Sequence, residues 1–176
     1  MTGVETGRPV RGIILGIDPG TTGMGFALLD PAREPPTVVD RGLIPTPKNG
    51  SAGERLASIA DAIDRLIAAH RPVAMAVERL YFNRNARTAM RVAEARGIAL
   101  VCAARAGLEI AEYTPQEVKL AVTGSGGADK GQVQRMLQLV LALDAAIGQD
   151  NVSDAVAIAL THAHRADFAA AVARTQ

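Results

Sequence analysis

Three carboxylates in this chain stand where ordinary surface acids do not. Asp18 follows the apolar run Ile13, Ile14, Leu15, inside the stretch GIDPGTTGMGFALLD of residues 16–30. Glu78 closes VAMAVE, at the end of five apolar residues, and Asp154 opens the apolar helical face Val156, Ile158, Ala159 in QDNVSDAVAIALTHAHR. Each has an innocent reading. Asp-Pro-Gly is a turn signal, with the Asp side chain bonding backbone and Pro presetting φ. A strand-end glutamate can reach solvent or pair with one of the arginines that follow it. Asp150, Asn151 or Ser153 can serve as helix caps, and an acid near a helix start suits the helix dipole.

Together the three acids are harder to dismiss. Carboxylates brought close repel and raise one another's pKa, which is costly unless a cation neutralises them. Oxygen-only ligands with open positions suit Mg²⁺ or Mn²⁺, and two such ions close together are the recurring device for in-line displacement at phosphodiesters. The chemistry indicated is phosphodiester hydrolysis. No rival nucleophile stands out: there is no GxSxG, no Cys and His pair and no HExxH. His162 and His164 read as packing or surface on the last helical segment.

The elements that must position these acids follow from pattern. Residues 11–18 and 23–30 read as strands joined by PGTTG, with a third strand over 37–44 after the loop PAREPP, an antiparallel meander. From 51 to 69, Leu56, Ile59, Ile63, Leu66 and Ile67 have helical spacing; Ser51 and Glu54 form a capping box and Pro72 closes the segment. A strand over 73–78 follows, then an Ala-rich helix over 85–106, a short strand over 108–113, and a helix capped by Thr114 with Pro115 and Glu117 in its first turn. The glycine-rich loop TGSGGADKG leads to helices over 130–143 and about 151–166. Strands interleaved with helices after a meander give a mixed α/β sheet, because a helical crossover returns the chain to a parallel strand. Strands one and four then run the same way and bring Asp18 and Glu78 to the same sheet edge, where ligand sites of open α/β sheets collect. A shared site requires those two strands to be neighbours, which pattern alone leaves open.

Composition bounds the rest. With 176 residues, 48% of them apolar, the chain can bury one substantial core and is expected to be a single domain. The lone Cys102 cannot form an internal disulfide and reads as a small buried hydrophobe, which suits a reducing compartment and a cytoplasmic location. Residues 1–10 lack the apolar core of a signal peptide and are expected to be a disordered extension. Net charge is only +1, but between residues 79 and 105 there are Arg79, Arg84, Arg87, Arg91, Arg96 and Arg105 against the single acid Glu94. That run reads as a solvated helix face or as a phosphate-binding surface.

Five blocks in order, GIDPGTTGMGFALLD, AVERLYFNRNARTA with ARG at 95–97, TPQEVK, GSGGADKGQVQRM and DAVAIALTHAHR, resemble the RuvC family of Holliday-junction resolvases. The resemblance covers most of residues 12–165. It implies a ribonuclease H-like fold with a mixed five-stranded sheet flanked by helices. It also implies a homodimer, and metal-dependent symmetrical nicking of four-way DNA junctions in recombination and repair. Asp18, Glu78 and Asp154 stand at the family's acidic metal-ligand positions, for two divalent cations per subunit, Mg²⁺ or Mn²⁺. Tyr81 stands at its aromatic near the junction, able to stack on an exposed base. Lys119 and Lys130 stand at its lysine positions for DNA and activity, and Arg84, Arg87 and Arg91 move towards phosphate contact. Family analogy adds the branch-migration proteins RuvA and RuvB as partners.

One departure is informative. Three residues before Asp154 the family commonly has Asp or His, whereas this chain has Asn151, with Asp150 one residue earlier at helical spacing from Asp154. Either could be the fourth ligand. A neutral ligand removes charge from the site, which favours Mn²⁺ over Mg²⁺. On these grounds residues 11–168 are expected to be one nuclease domain, followed by a tail over 169–176. An actin-like ATPase would need two domains around its nucleotide, more than this length provides. A YqgF-like small nuclease should lack the YFNRNARTA and GADKGQVQ blocks. An inactive junction-binding module is the non-enzyme alternative that Asn151 raises.

Overall fold

The computed structural model describes residues 12–20, 23–45, 50–79 and 86–175, excepting the side chains of residues 86–88. Tyr81 and Arg84, and the side chain of Arg87, lie outside the described residues. The chain runs β1 (Ile14–Pro19), β2 (Gly23–Asp30), β3 (Thr37–Pro45), α1 (Ala52–His70), β4 (Ala74–Glu78), α2 (Ala86–Arg105), β5 (Glu109–Tyr113), α3 (Pro115–Thr123), α4 (Lys130–Val140) and α5 (Asp150–Ala173). The five strands form one sheet in the order β3-β2-β1-β4-β5. β1, β2 and β3 pair antiparallel, while β4 and β5 extend the sheet in parallel beyond β1. The mixed α/β sheet expected from the pattern is present, and β4 does lie beside β1.

The helices begin where local chemistry starts them. The Ser51 hydroxyl accepts from the Glu54 backbone at 3.2 Å, and the Glu54 carboxylate accepts from the Ser51 backbone at 2.7 Å. Thr114 and Glu117 make the same reciprocal pair at α3. A third box, Asp129 with Gln132, starts α4 and puts Lys130 in its first turn; sequence reading had the helix start there without recognising its cap. β1 begins at Ile14 rather than 11, and two helix ends also differ from expectation. α4 stops at Val140 rather than 143, because the chain leaves helical geometry at Leu141 and turns through a left-handed Ala142 (φ 48°). α5 continues to Ala173 rather than about 166, since the alanine-rich ADFAAAVA sustains helix where the apolar spacing lapses, and Ala170 is buried.

Strand alternation divides the core in two. Leu15, Ile17, Met24, Leu28, Met75 and Val77 pack against Ile59 and Ile63 of α1 and Ala95, Ala99, Cys102 and Ala103 of α2. The opposite face, with Ile14, Ala27, Leu29, Ala76 and Tyr113, packs against α3, α4 and the apolar side of α5. Each large aliphatic side chain removed from water on either face contributes roughly 1.5–3 kcal/mol, so both helix layers are held to the sheet. Cys102 is the buried hydrophobe expected, its thiol pushed up to about 11 by burial, with Asp64 adding to the effect. Among the described residues no helix is long and apolar enough to cross a membrane.

Candidate active site

Period-two alternation decides where the strand acids face. Ile14 lies on the α5 side of β1 and Leu15 on the other, so Asp18 falls on the α5 side; Ala76 and Val77 give Glu78 the same orientation on β4. The parallel register matches Ile17 with Val77, so Asp18 and Glu78 occupy the next rung, side by side at the carboxyl ends of adjacent strands. α5 crosses this face and supplies Asp154.

Two glycines let α5 come close enough. A methyl group on Gly16 would run into the carbonyl oxygen of Ala155 and lie 2.9 Å from the Ala159 methyl, and one on Gly25 would collide with the backbone of Asn151. Glycine inside a strand commonly marks such a close approach, so the GID and GMG steps carried this signal. The helix start is tied down as well. The Asn151 side-chain amide donates to the carbonyl of Gly23 at 3.0 Å, joining residues 128 apart in sequence at the beginning of β2.

The electrostatics are those of an acid cluster only partly compensated by nearby lysines. Asp18 is 7% exposed, and its carboxyl is pushed up to about 8, first by burial and then by the charges of Glu78 and Asp154. The close approach of the Asp18 and Glu78 carboxyls raises Asp18 further and opposes the rise at Glu78. Glu78 is nonetheless raised, by burial and by Asp154. Asp154 is also raised, by burial and by Asp150, against the lowering effect of Lys130 and Lys119.

Lys130 is the protein's own cation at this site. Its Nζ lies 2.9 Å from Asp150 and 3.7 Å from Asp154. Burial by itself would lower its pKa, but the hydrogen bond to Asp150 and the charge of Asp154 outweigh that and raise it. Among the described residues no three His, Cys, Asp or Glu side chains converge as a metal-binding group. The donor chemistry still fits a hard divalent cation: oxygens only, and carboxyls whose charges oppose one another until something positive arrives. Lys119 and Lys130, with Pro115, Val118, Val133, Ala157 and Ile158, line a cavity of about 240 Å³ that opens onto Glu78 and Asp154.

Glu78, Asp154, Lys119 and Lys130 thus share one cavity, and Asp18 lies beside Glu78 within electrostatic reach of Asp154 and Lys130, without the three acids closing into a metal-binding group. Asn151 and Asp150 lie at the same helix start, but Asp150 is exposed and paired with Lys130, whereas the Asn151 amide is engaged by β2. Arg91 is exposed on α2. Arg96 is not on the solvated face: its guanidinium reaches the backbone of Glu78 and the Glu112 carboxylate. His162 is core, as expected, buried and hydrogen-bonded through Nδ1 to the Tyr113 hydroxyl at 2.8 Å.

Residues 14–162 match the family model described as crossover junction endodeoxyribonuclease RuvC. Proteins of that description from Heliobacterium modesticaldum and Moorella thermoacetica are 45% and 46% identical over 152 and 151 residues, each alignment covering 86% of this chain and 94% and 90% of the relative. Among solved structures, Thermus thermophilus RuvC in complex with Holliday junction substrate superposes with a TM-score of 0.85 at 33% identity, covering 90% of this chain and 97% of that one. The yeast mitochondrial Holliday junction resolvase Ydc2, at 13% identity and a TM-score of 0.65, shares the fold.

Proposed function

The chain belongs to the RuvC family of crossover junction endodeoxyribonucleases, and we propose that Asp18, Glu78 and Asp154 are its catalytic, metal-holding carboxylates. Its function is that of a Holliday-junction resolvase, a divalent-metal-dependent endodeoxyribonuclease with a ribonuclease H-like fold that acts on four-way DNA junctions in recombination and repair. The observation that carries the residue assignment is the adjacency of Asp18 and Glu78 beneath α5, with the Asp18 carboxyl pushed up to about 8 first by burial and then by the neighbouring acids.

Bound divalent cations would supply charge neutralisation at the scissile phosphate and an acidified attacking water. The protein's residues do the rest. Asp18 and Glu78, fixed on adjacent strand ends, would with Asp154 hold the cations, whose positive charge would favour the ionised form of each carboxyl. Lys119 and Lys130 bring ammonium groups to the same cavity, where they attract and orient the phosphodiester backbone. Val118, Val133, Ala157 and Ile158 wall that cavity and keep the local dielectric low.

Two cations per subunit are the expected complement. Asn151 is the better candidate for the fourth ligand: its nitrogen is bonded to Gly23, which leaves the amide oxygen without a partner among the described residues, while Asp150 is occupied by Lys130. A neutral oxygen there favours Mn²⁺ over Mg²⁺. Tyr81 is assigned to stacking on a base at the junction, and Arg84, Arg87 and Arg91 to phosphates. Two symmetrical nicks call for a C₂ homodimer, with α2 as the expected contact, and RuvA and RuvB as partners in the cytoplasm. Residues 11–168 form the nuclease domain in this reading, with 1–10 an extension and 169–176 a tail.

The test is cleavage and binding of a synthetic four-way junction by Asp18→Asn, Glu78→Gln and Asp154→Asn across a metal titration. Each variant should bind the junction and fail to nick it. Wild-type-like nicking by any one of them removes that residue from the site.

A further inference from the structure

The arginine run after Glu78 contains one member that faces inward. Arg96 lies on α2, on the sheet face opposite the acids, and its side chain is only 18% exposed. Its Nε donates to the backbone carbonyl of Glu78 at 3.2 Å, and its terminal nitrogen donates to the Glu112 carboxylate. Glu112 neighbours Tyr113, which pairs with Glu78 across β4 and β5 and accepts a hydrogen bond from the Arg79 backbone at 2.8 Å. Arg79 also approaches Glu112, at 3.9 Å.

The position of that carbonyl matters. The β1 and β4 ladder ends with Ile17 and Val77, so Glu78 is the first residue beyond it and lacks that pairing to hold its main chain. Strand β4 ends at Glu78, and Arg79, its backbone bonded to Tyr113, is the last described residue before Ala86. A glutamate at a strand end paired only on its β5 side is held less firmly than one inside the sheet, yet its carboxyl has to stay beside Asp18 while burial and the charge of Asp154 oppose its ionisation. A planar guanidinium can take a carbonyl and a carboxylate at once in fixed geometry, which a lysine ammonium does not reproduce.

We propose that Arg96, braced by Glu112, is a positioning residue that pins the Glu78 backbone from behind the sheet and so sets the placement of the Glu78 carboxylate for metal and substrate. It acts through Glu78 and does not touch DNA. This inference rests on the assignment of Glu78 above; Glu78→Gln, assayed alongside, separates a failure of that assignment from a failure of the clasp.

The experiment compares Arg96→Gln, Arg96→Lys, Glu112→Gln and the Arg96→Gln/Glu112→Gln double variant with wild type. Junction and duplex binding are measured across salt, single-turnover cleavage across Mn²⁺ concentration, and all assays run well below each variant's melting temperature. Loss of a partner that orients a ligating group typically lowers activity or metal affinity ~10- to 100-fold, and that range is expected for Arg96→Gln. The Mn²⁺ requirement should rise, junction affinity and salt slope should stay at wild-type values, and Arg96→Lys should recover only part of the loss. Glu112→Gln should fall in the same direction, and the double variant should lose little beyond Arg96→Gln, because the two act as one unit. If Arg96→Gln does not fold, Glu112→Gln alone carries the test through its Mn²⁺ requirement. Wild-type turnover and metal dependence in the folded variants would overturn the proposal. So would a salt slope reduced by about one unit, which marks Arg96 as a phosphate contact instead.

Discussion

Replacing Asp18 by Asn should abolish cleavage and at the same time stabilise the metal-free protein, with a pH dependence that identifies the cause. In the folded chain the Asp18 carboxyl keeps its proton to about 8, whereas its ordinary value is 3.8. Between those limits the folded state binds more protons than the unfolded state, so stability falls as pH rises. Integrated to pH 7, the gap amounts to about 4 kcal/mol at most, growing little above pH 8 and vanishing below about pH 4. Asparagine is nearly isosteric with the protonated acid, yet it never ionises. For a domain of this size each kcal/mol moves the melting temperature by roughly 2–4 °C, so the variant should melt on the order of 10 °C higher at pH 7 to 8 in EDTA. At pH 4 the two proteins should melt together. Saturating Mn²⁺ should narrow or reverse the difference, since only the wild type binds the ion with its full charge, and a ligand at 100 times its Kd adds about 2.7 kcal/mol. Thermal melts by circular dichroism from pH 4 to 8.5, with and without metal, decide it. A variant that is less stable throughout, or whose advantage does not change with pH, would refute a carboxyl whose ionisation the fold opposes through burial and neighbouring acids.

Three further outcomes are expected. Gly16→Ala should destabilise by about 1–3 kcal/mol through overpacking against Ala155 and Ala159, and should cost activity by lifting α5 and Asp154 off the sheet, read from denaturant midpoint and junction cleavage together. Wild type should cleave at lower Mn²⁺ than Mg²⁺ concentration, and Asn151→Asp should narrow that gap while costing about 1 kcal/mol for the hydrogen bond to Gly23, in parallel metal titrations and melts; equal potency of the two metals in wild type would count against the neutral ligand. Arg91→Ala should weaken binding to duplex and junction alike and lower the salt slope by about one unit, whereas a loss confined to the junction would speak against a phosphate contact.

Much of the fold was legible in local sequence because its causes are local. The Ser51 and Glu54 box, Thr114 with Pro115 and Glu117, and the turn residues between strands act within a few positions, and the elements they delimit lie close to where they were expected. The acids were legible for a related reason: a charge that ends an apolar strand or opens an apolar helix face conflicts with its surroundings, and that conflict is visible without coordinates. α5 outran its expected end because helix propensity there persists after amphipathic spacing stops.

The tertiary structure decided what depends on pairing between distant segments. That β4 lies beside β1 rather than β3 is a choice of sheet order, and only that choice makes Asp18 and Glu78 neighbours. The depth at which α5 settles is set by Gly16 and Gly25, whose missing side chains have meaning only once a helix lies over them. Asn151 and Asp150 were equivalent candidates by spacing. They differ because one finds the Gly23 carbonyl and the other finds Lys130, on elements far away in the chain. Arg96 read as one more cation in a basic run, but partial burial between α2 and two strand ends turns it inward and gives it a carbonyl and a carboxylate to hold. Composition and period can state which side chains a protein possesses and which face of their own element they occupy. Which of them meet is set by long-range packing, where a single rung of register or the width of a methyl group separates contact from collision.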